Sequence, residues 1–113
     1  MGGISKEWTG AVAIPIVLLS LSLSDSYGYE IVQNVKQMSN GMMKWQEASI
    51  YPVLKKLEKE GFVKSYWKVE GKERPRRYYT IMDEGKKRLN VQLTELKLIN
   101  NLFDMLMGEQ KKD

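Results

Sequence analysis

Lys72, Arg74, Arg76 and Arg77 fall within six residues, opposed only by Glu73, with Pro75 among them to stiffen the stretch. Clustered cations of this kind neutralise phosphates and release their counterions. A second basic group, Lys55, Lys56 and Lys59, lies upstream. It follows Ser49 and Tyr51, whose hydroxyls can reach base edges or backbone oxygens. Either group alone reads equally well as a solvated surface. Together they can follow one phosphate track.

Other chemistry is closed off by what the chain lacks. Its 113 residues include no Cys and no His. Disulfides, thiol catalysis and thiolate metal sites go with the first, and the commonest general base and metal ligand with the second. The expectation is a protein without cofactor or metal that is not an enzyme. The net charge of +4 is unevenly spread: residues 27–88 hold fourteen Lys/Arg against eight Asp/Glu, and the remainder four against six. A basic middle between near-neutral apolar ends suits a polyanion-facing centre held by its termini. The length suits one domain, and 42% apolar with 28% charged residues is ordinary globular composition.

These side chains need elements to hold them. Trp8 to Ser24 is an uncharged run of 17 residues, at the bottom of the range of about 17–25 that spans a bilayer. It contains Pro15, Ser20, Ser22 and Ser24, and it has neither the basic start nor the small-residue cleavage site of a secretory signal. A buried helix is expected; a small membrane-associated protein anchored by residues 8–24 is the alternative. Such a helix is apolar on most sides and needs cover from a second subunit.

Asp25-Ser26 reads as the start of the next helix, with Ile31, Val35 and Met38 on one face and Ser39-Asn40-Gly41 as its end. Gln46 to Glu60 is a third helix, with Ile50, Val53, Leu54 and Leu57 inward and Gly61 as its stop. Its outward face holds Ala48, Pro52, Lys55 and Lys59, flanked by Ser49, Tyr51 and Lys56. Phe62 to Val69 and Arg76 to Ile81 read as a hairpin. Asp83 caps a long last helix whose stripe of Leu89, Leu93, Leu96, Ile99, Leu102, Phe103 and Leu106 ends near Gly108.

The order helix, helix, turn, helix, hairpin is that of a winged helix-turn-helix. The fold class is thus mainly α with a small β-hairpin (α+β). A DNA-binding domain spans 1–82, a dimerisation helix 83–108 and a polar, frayed tail 109–113.

The chain resembles the PadR family of bacterial transcriptional regulators from about Trp8 to Leu106. The likeness is carried by Ser26-Tyr27-Gly28-Tyr29-Glu30-Ile31, by Ser49-Ile50-Tyr51-Pro52-Val53-Leu54 through Gly61, and by Arg74-Pro75-Arg76-Arg77-Tyr78-Tyr79-Thr80-Ile81 with Gly85. Two positions depart from it: Tyr27 stands where a histidine is common, and Met82-Asp83 replaces a frequent Leu-Thr start to the last helix.

The resemblance implies a cytoplasmic homodimeric repressor of detoxification or efflux genes, bound to a two-fold DNA operator and released by a small aromatic compound or another signal. The expected DNA contacts are Tyr27, Ser49, Tyr51, Lys55, Lys56, Lys72, Arg74, Arg76 and Arg77. The last helix would pack on the partner's first helix, through Ile14, Leu18, Leu89, Leu93, Leu96, Ile99, Phe103 and Leu106. Drug-binding relatives hold flat ligands against a tryptophan on the last helix, which this chain lacks. The corresponding space would be lined by Trp8, Leu96, Asn100 and Phe103, or these residues simply form dimer core. An interaction adaptor that shares the fold but binds no DNA is a further alternative, against which the hairpin arginines weigh.

Overall fold

A computed structural model describes residues 3–111. Its elements are α1 (Lys6–Ala11), α2 (Ala13–Leu23), β1 (Ser26–Tyr27), α3 (Gly28–Met38), α4 (Glu47–Lys59), β2 (Val63–Lys68), β3 (Arg76–Ile81) and α5 (Asp83–Lys111). The strands form an antiparallel sheet in the order β1-β3-β2.

The apolar N-terminal run is two helices instead of one. Pro15 has no N–H for the carbonyl of Ala11, and its ring crowds that carbonyl, so the chain breaks at Val12. The 11 residues of α2 rise about 16 Å, against about 30 Å of bilayer hydrocarbon. Among the described residues no helix is long and apolar enough to cross a membrane.

Residues 25–26 do not start a helix. Ser26 and Tyr27 are extended and pair with Tyr79 and Tyr78 of β3, adding a third strand to the expected hairpin. Helix α3 begins at Gly28. It ends in a Schellman motif: Asn40 takes a left-handed φ of 54°, and Gly41 N–H reaches the Lys36 carbonyl at 2.8 Å. Gly61, at φ 81°, ends α4 in the same way, and Phe62 N–H donates to the Leu57 carbonyl at 2.9 Å. That turn launches β2 back along α4.

The core is built from the inward faces of α2, α3 and α4, closed by Val63, Tyr79 and Leu89. Leu18 and Leu89 were expected in a dimer interface, but both are buried within the single chain, Leu18 at 0% exposure and Leu89 at 5%. With the chain's own core around them, they have no surface to offer a partner.

Two features of α5 differ from expectation. Met82, not Asp83, supplies the first helical carbonyl, to Lys86 N–H at 2.9 Å, so Asp83 sits inside the first turn. Gly108 does not stop the helix, because it lacks the positive φ that makes a glycine a cap, and α5 continues to Lys111. Residues 109–111 of the expected tail are therefore helical, and 112–113 lie outside the described residues.

Candidate nucleic-acid interface

Helix α4 is amphipathic, so burying Ile50, Leu54 and Leu57 turns the opposite face outward. Ser49, Tyr51, Pro52, Lys55, Lys56 and Lys59 are all exposed there. Lys72 and Arg74 stand at the turn between β2 and β3, and Arg76 and Arg77 on β3. Among the described residues no carboxylate pairs with Lys55, Lys56, Lys59, Lys72 or Arg74. Their full charge is therefore available to an anion.

The α4 face and the wing meet around an open cleft of about 390 Å³ lined by Tyr27, Tyr29, Glu47, Tyr51, Arg74, Arg76 and Arg77. The arginines are held there in different ways. Arg76 donates to the Tyr27 hydroxyl, lies 4.5 Å over the Tyr27 ring and approaches Glu73 at 3.3 Å. The tyrosine at position 27 thus orients a wing arginine, which an imidazolium would repel. Arg77 is committed to the fold: its Nε donates to Ser65 Oγ at 3.0 Å, and its Nη2 reaches Glu58 of α4 at 3.5 Å. Ser65 donates in turn to Glu58 at 2.7 Å. This triad ties wing to helix and partly neutralises Arg77.

An aromatic stack stiffens the other side of the sheet. Tyr78 meets the Tyr27 ring edge-on at 5.3 Å and stacks on Tyr66 at 5.8 Å. Tyr66 donates to Asp25 at 2.7 Å. That hydrogen bond to a carboxylate, with burial second, pushes the Tyr66 phenol up to about 12.

On α4 both hydroxyls are engaged locally. Ser49 Oγ donates to the Gln46 carbonyl at 2.7 Å, and Tyr51 donates to Glu47 Oε2 at 2.7 Å. The bond to Glu47, followed by desolvation, raises the Tyr51 phenol to about 12. The Tyr51 ring lies against Gly28, where a Cβ would come within 2.7 Å of it. Glu47 and Tyr29 were not anticipated as parts of the site. The i, i+4 spacing of Glu47 and Tyr51 is the signal that could have found the first; the position of Tyr29 depends on how α3 packs.

The residues expected around an effector are not enclosed. Trp8 is 56% exposed and Leu96, Asn100 and Phe103 are also exposed, so the chain itself does not enclose them. A tryptophan that does line a cleft is Trp45, whose indole donates to the Thr9 carbonyl at 3.2 Å. That cleft, about 340 Å³, lies between α1 and the start of α4.

The family model described as the transcriptional regulator PadR-like family matches residues 17–91. A solved transcriptional regulator from Clostridium thermocellum superposes with a TM-score of 0.81 at 32% identity, covering 90% of this chain and 96% of that one. Bacillus subtilis PadR, solved in complex with operator DNA, superposes at 0.67 with 30% identity, over 73% of this chain and 46% of that one. The negative transcriptional regulator PadR of Bacillus subtilis is 33% identical over 63 residues, which is 56% of this chain and 35% of that protein.

Proposed function

The chain belongs to the PadR-like family of transcriptional regulators, and from that premise we propose that it is a cytoplasmic repressor of detoxification or efflux genes, binding a two-fold operator as a homodimer. The observation that carries this reading is the single open surface formed by the α4 face and the arginines of the wing. The similarity to a negative regulator and to a chain solved on operator DNA supports it.

In this reading α4 enters the major groove. Lys55 and Lys56 engage flanking phosphates, and Lys72, Arg74 and Arg76 follow the backbone beside the groove, with Tyr27 orienting Arg76. Ser49 and Tyr51 face base edges. Arg77 chiefly keeps the wing in register with α4.

Dimerisation is supported by apolar surface that the chain does not cover. Past Leu93, α5 exposes Leu96, Ile99, Phe103 and Leu106. An apolar cleft lined by Ile16, Leu19, Leu23, Val35, Met38 and Met42 lies between α2 and α3. The far half of one α5, laid across the partner's N-terminal helices beside the half-buried Ile14, would cover both. An aromatic effector between subunits near Trp8, Leu96, Asn100 and Phe103 would release DNA by favouring the dimer form that cannot bind it. Quenching of fluorescence that disappears in Trp8→Phe, with Trp45 and Trp67 left in place, is the expected sign of such a ligand.

Selection of duplexes from a random pool tests the main reading. The expected product is a dyad with half-sites about 34–36 Å apart, or a multiple of that. Its affinity should fall linearly with salt on a log–log plot. A site without a dyad that holds one subunit, or binding insensitive to salt, would overturn it.

A further inference from the structure

The side chains best placed to read bases share a property that their residue types hide. A serine or tyrosine hydroxyl can donate or accept. Here each has already committed its one proton along its own helix. Gln46 meets Ser49 with a carbonyl, which can only accept, so the serine must be the donor at 2.7 Å. Tyr51 meets a carboxylate at 2.7 Å, which fixes the same sense. The high phenol pKa of Tyr51 keeps that proton in place across the neutral range. Outward, Ser49 and Tyr51 therefore offer only lone pairs. Glu47 adds the free oxygen Oε1, since among the described residues no Lys or Arg pairs with it.

We propose that the first turns of α4 recognise exocyclic amino groups in the major groove, N4 of cytosine or N6 of adenine, because Glu47, Ser49 and Tyr51 present hydrogen-bond acceptors alone. The proposal rests on the operator-binding reading above. Guanine O6 and N7 and thymine O4 are acceptors themselves. Facing Glu47 they would leave lone pairs opposed and a carboxylate desolvated without a donor. Cytosine and adenine supply the missing N–H. The acceptor face also divides the labour: it repels phosphate, so the cations of the wing and of the later turns of α4 hold the backbone. The bond to Glu47 keeps the phenol from turning its proton outward. The side chain with amide donors on this turn is Gln46, at the helix start and without a capping bond.

The test uses the full-length protein and the duplex recovered from a random pool. At the positions facing α4, adenine is replaced by purine, or cytosine by 2-pyrimidinone, each of which lacks the exocyclic amino group. Wild-type affinity should fall about tenfold. In Glu47→Ala the same replacement should cost little, while binding to random DNA rises because a carboxylate that repels phosphate is gone. Tyr51→Phe, which removes the phenol oxygen and leaves α4 intact, should shrink the penalty in the same sense should Glu47→Ala fold poorly. Equal penalties in wild type and both variants would overturn the proposal and leave the operator-binding reading standing. Half-sites that set guanine or thymine edges against these turns would do the same and give the readout to Gln46 or Lys55. Absence of salt-dependent binding to any duplex would overturn both.

Discussion

Glycine at two positions separates a functional from a structural requirement. A Cβ at Gly28 would meet the far end of the Tyr51 side chain at 2.7 Å, and that ring is 44% exposed and free to swing out. A Cβ at Gly85 would lie 2.2 Å from the Phe62 backbone carbonyl, which also accepts the N–H of Met82 and cannot withdraw. Gly28→Ala is therefore expected to change stability by less than about 1 kcal/mol, helix propensity offsetting strain, while specific DNA binding falls. Gly85→Ala is expected to cost about 1–3 kcal/mol or more. Urea denaturation beside a DNA titration checks both.

The two tyrosines that donate to carboxylates give a pH prediction. Tyr51 and Tyr66 ionise near 12 in the fold against 10.0 unperturbed. A folded pKa above the unfolded one contributes stability that is complete below about 10 and disappears as pH rises through about 12. Stability should thus be insensitive to these groups at neutral pH and decline between those values. Both rings are partly exposed, so the effect is modest. Phenolate absorbance should rise late for Tyr51 and Tyr66, and also for Tyr78 and Tyr79, whose phenols desolvation pushes up; Tyr51→Phe and Tyr66→Phe should each remove one late titration.

At the scale of elements, the wing is attached to α4 by one polar link, Arg77–Glu58–Ser65. Arg74 belongs to no such link among the described residues. The two substitutions should therefore differ. Arg74→Ala should lower the salt slope of DNA binding by about one unit and leave the wing rigid. Arg77→Ala should speed hydrogen exchange in β2 and β3, because Glu58 and Ser65 lose their shared donor. Equal exchange in both variants would show that the sheet needs no such tether. The break at Val12 follows the same logic of a single missing donor: the helix on each side of Pro15 is sound, and only the junction bends.

The whole molecule measures 64 × 34 × 20 Å, and α5 accounts for its length. Its 29 residues rise about 43 Å, and only the part through Leu93 meets the core. Leu106, at 63% exposure, and Phe103, at 53%, are apolar groups without cover. Phe103→Glu or Leu106→Glu should lower the mass seen in sedimentation and abolish binding to a two-fold site. Leu18→Ala lies in the chain's own core and should cost about 2–5 kcal/mol without weakening association between the molecules that remain folded. Unchanged mass for both α5 variants would place the dimer contact elsewhere.

The sequence by itself determined the types and order of most elements, because periodicity, turn residues and charge are local properties, but it showed neither the break at Val12 nor the strand at Ser26–Tyr27. The third helix, the hairpin strands, the glycine stop at Gly61 and the paired basic groups were all legible in it. What it could not determine was which of two partners a group would choose. Leu18 and Leu89 have the same residue types whether they pack against their own chain or another, and only the fold buries them at home. Asp25-Ser26 looks like a cap until β3 arrives to pair with Ser26 and Tyr27. Tyr51 reads as a hydroxyl free to reach a base edge until Glu47, one turn away, accepts its hydrogen bond. Arg77 reads as a phosphate ligand until β3 sets it beside Glu58. Except for Glu47 and Tyr51, which helical spacing alone brings together, the deciding interaction joins residues whose proximity is created by packing, and packing is a property of the whole chain.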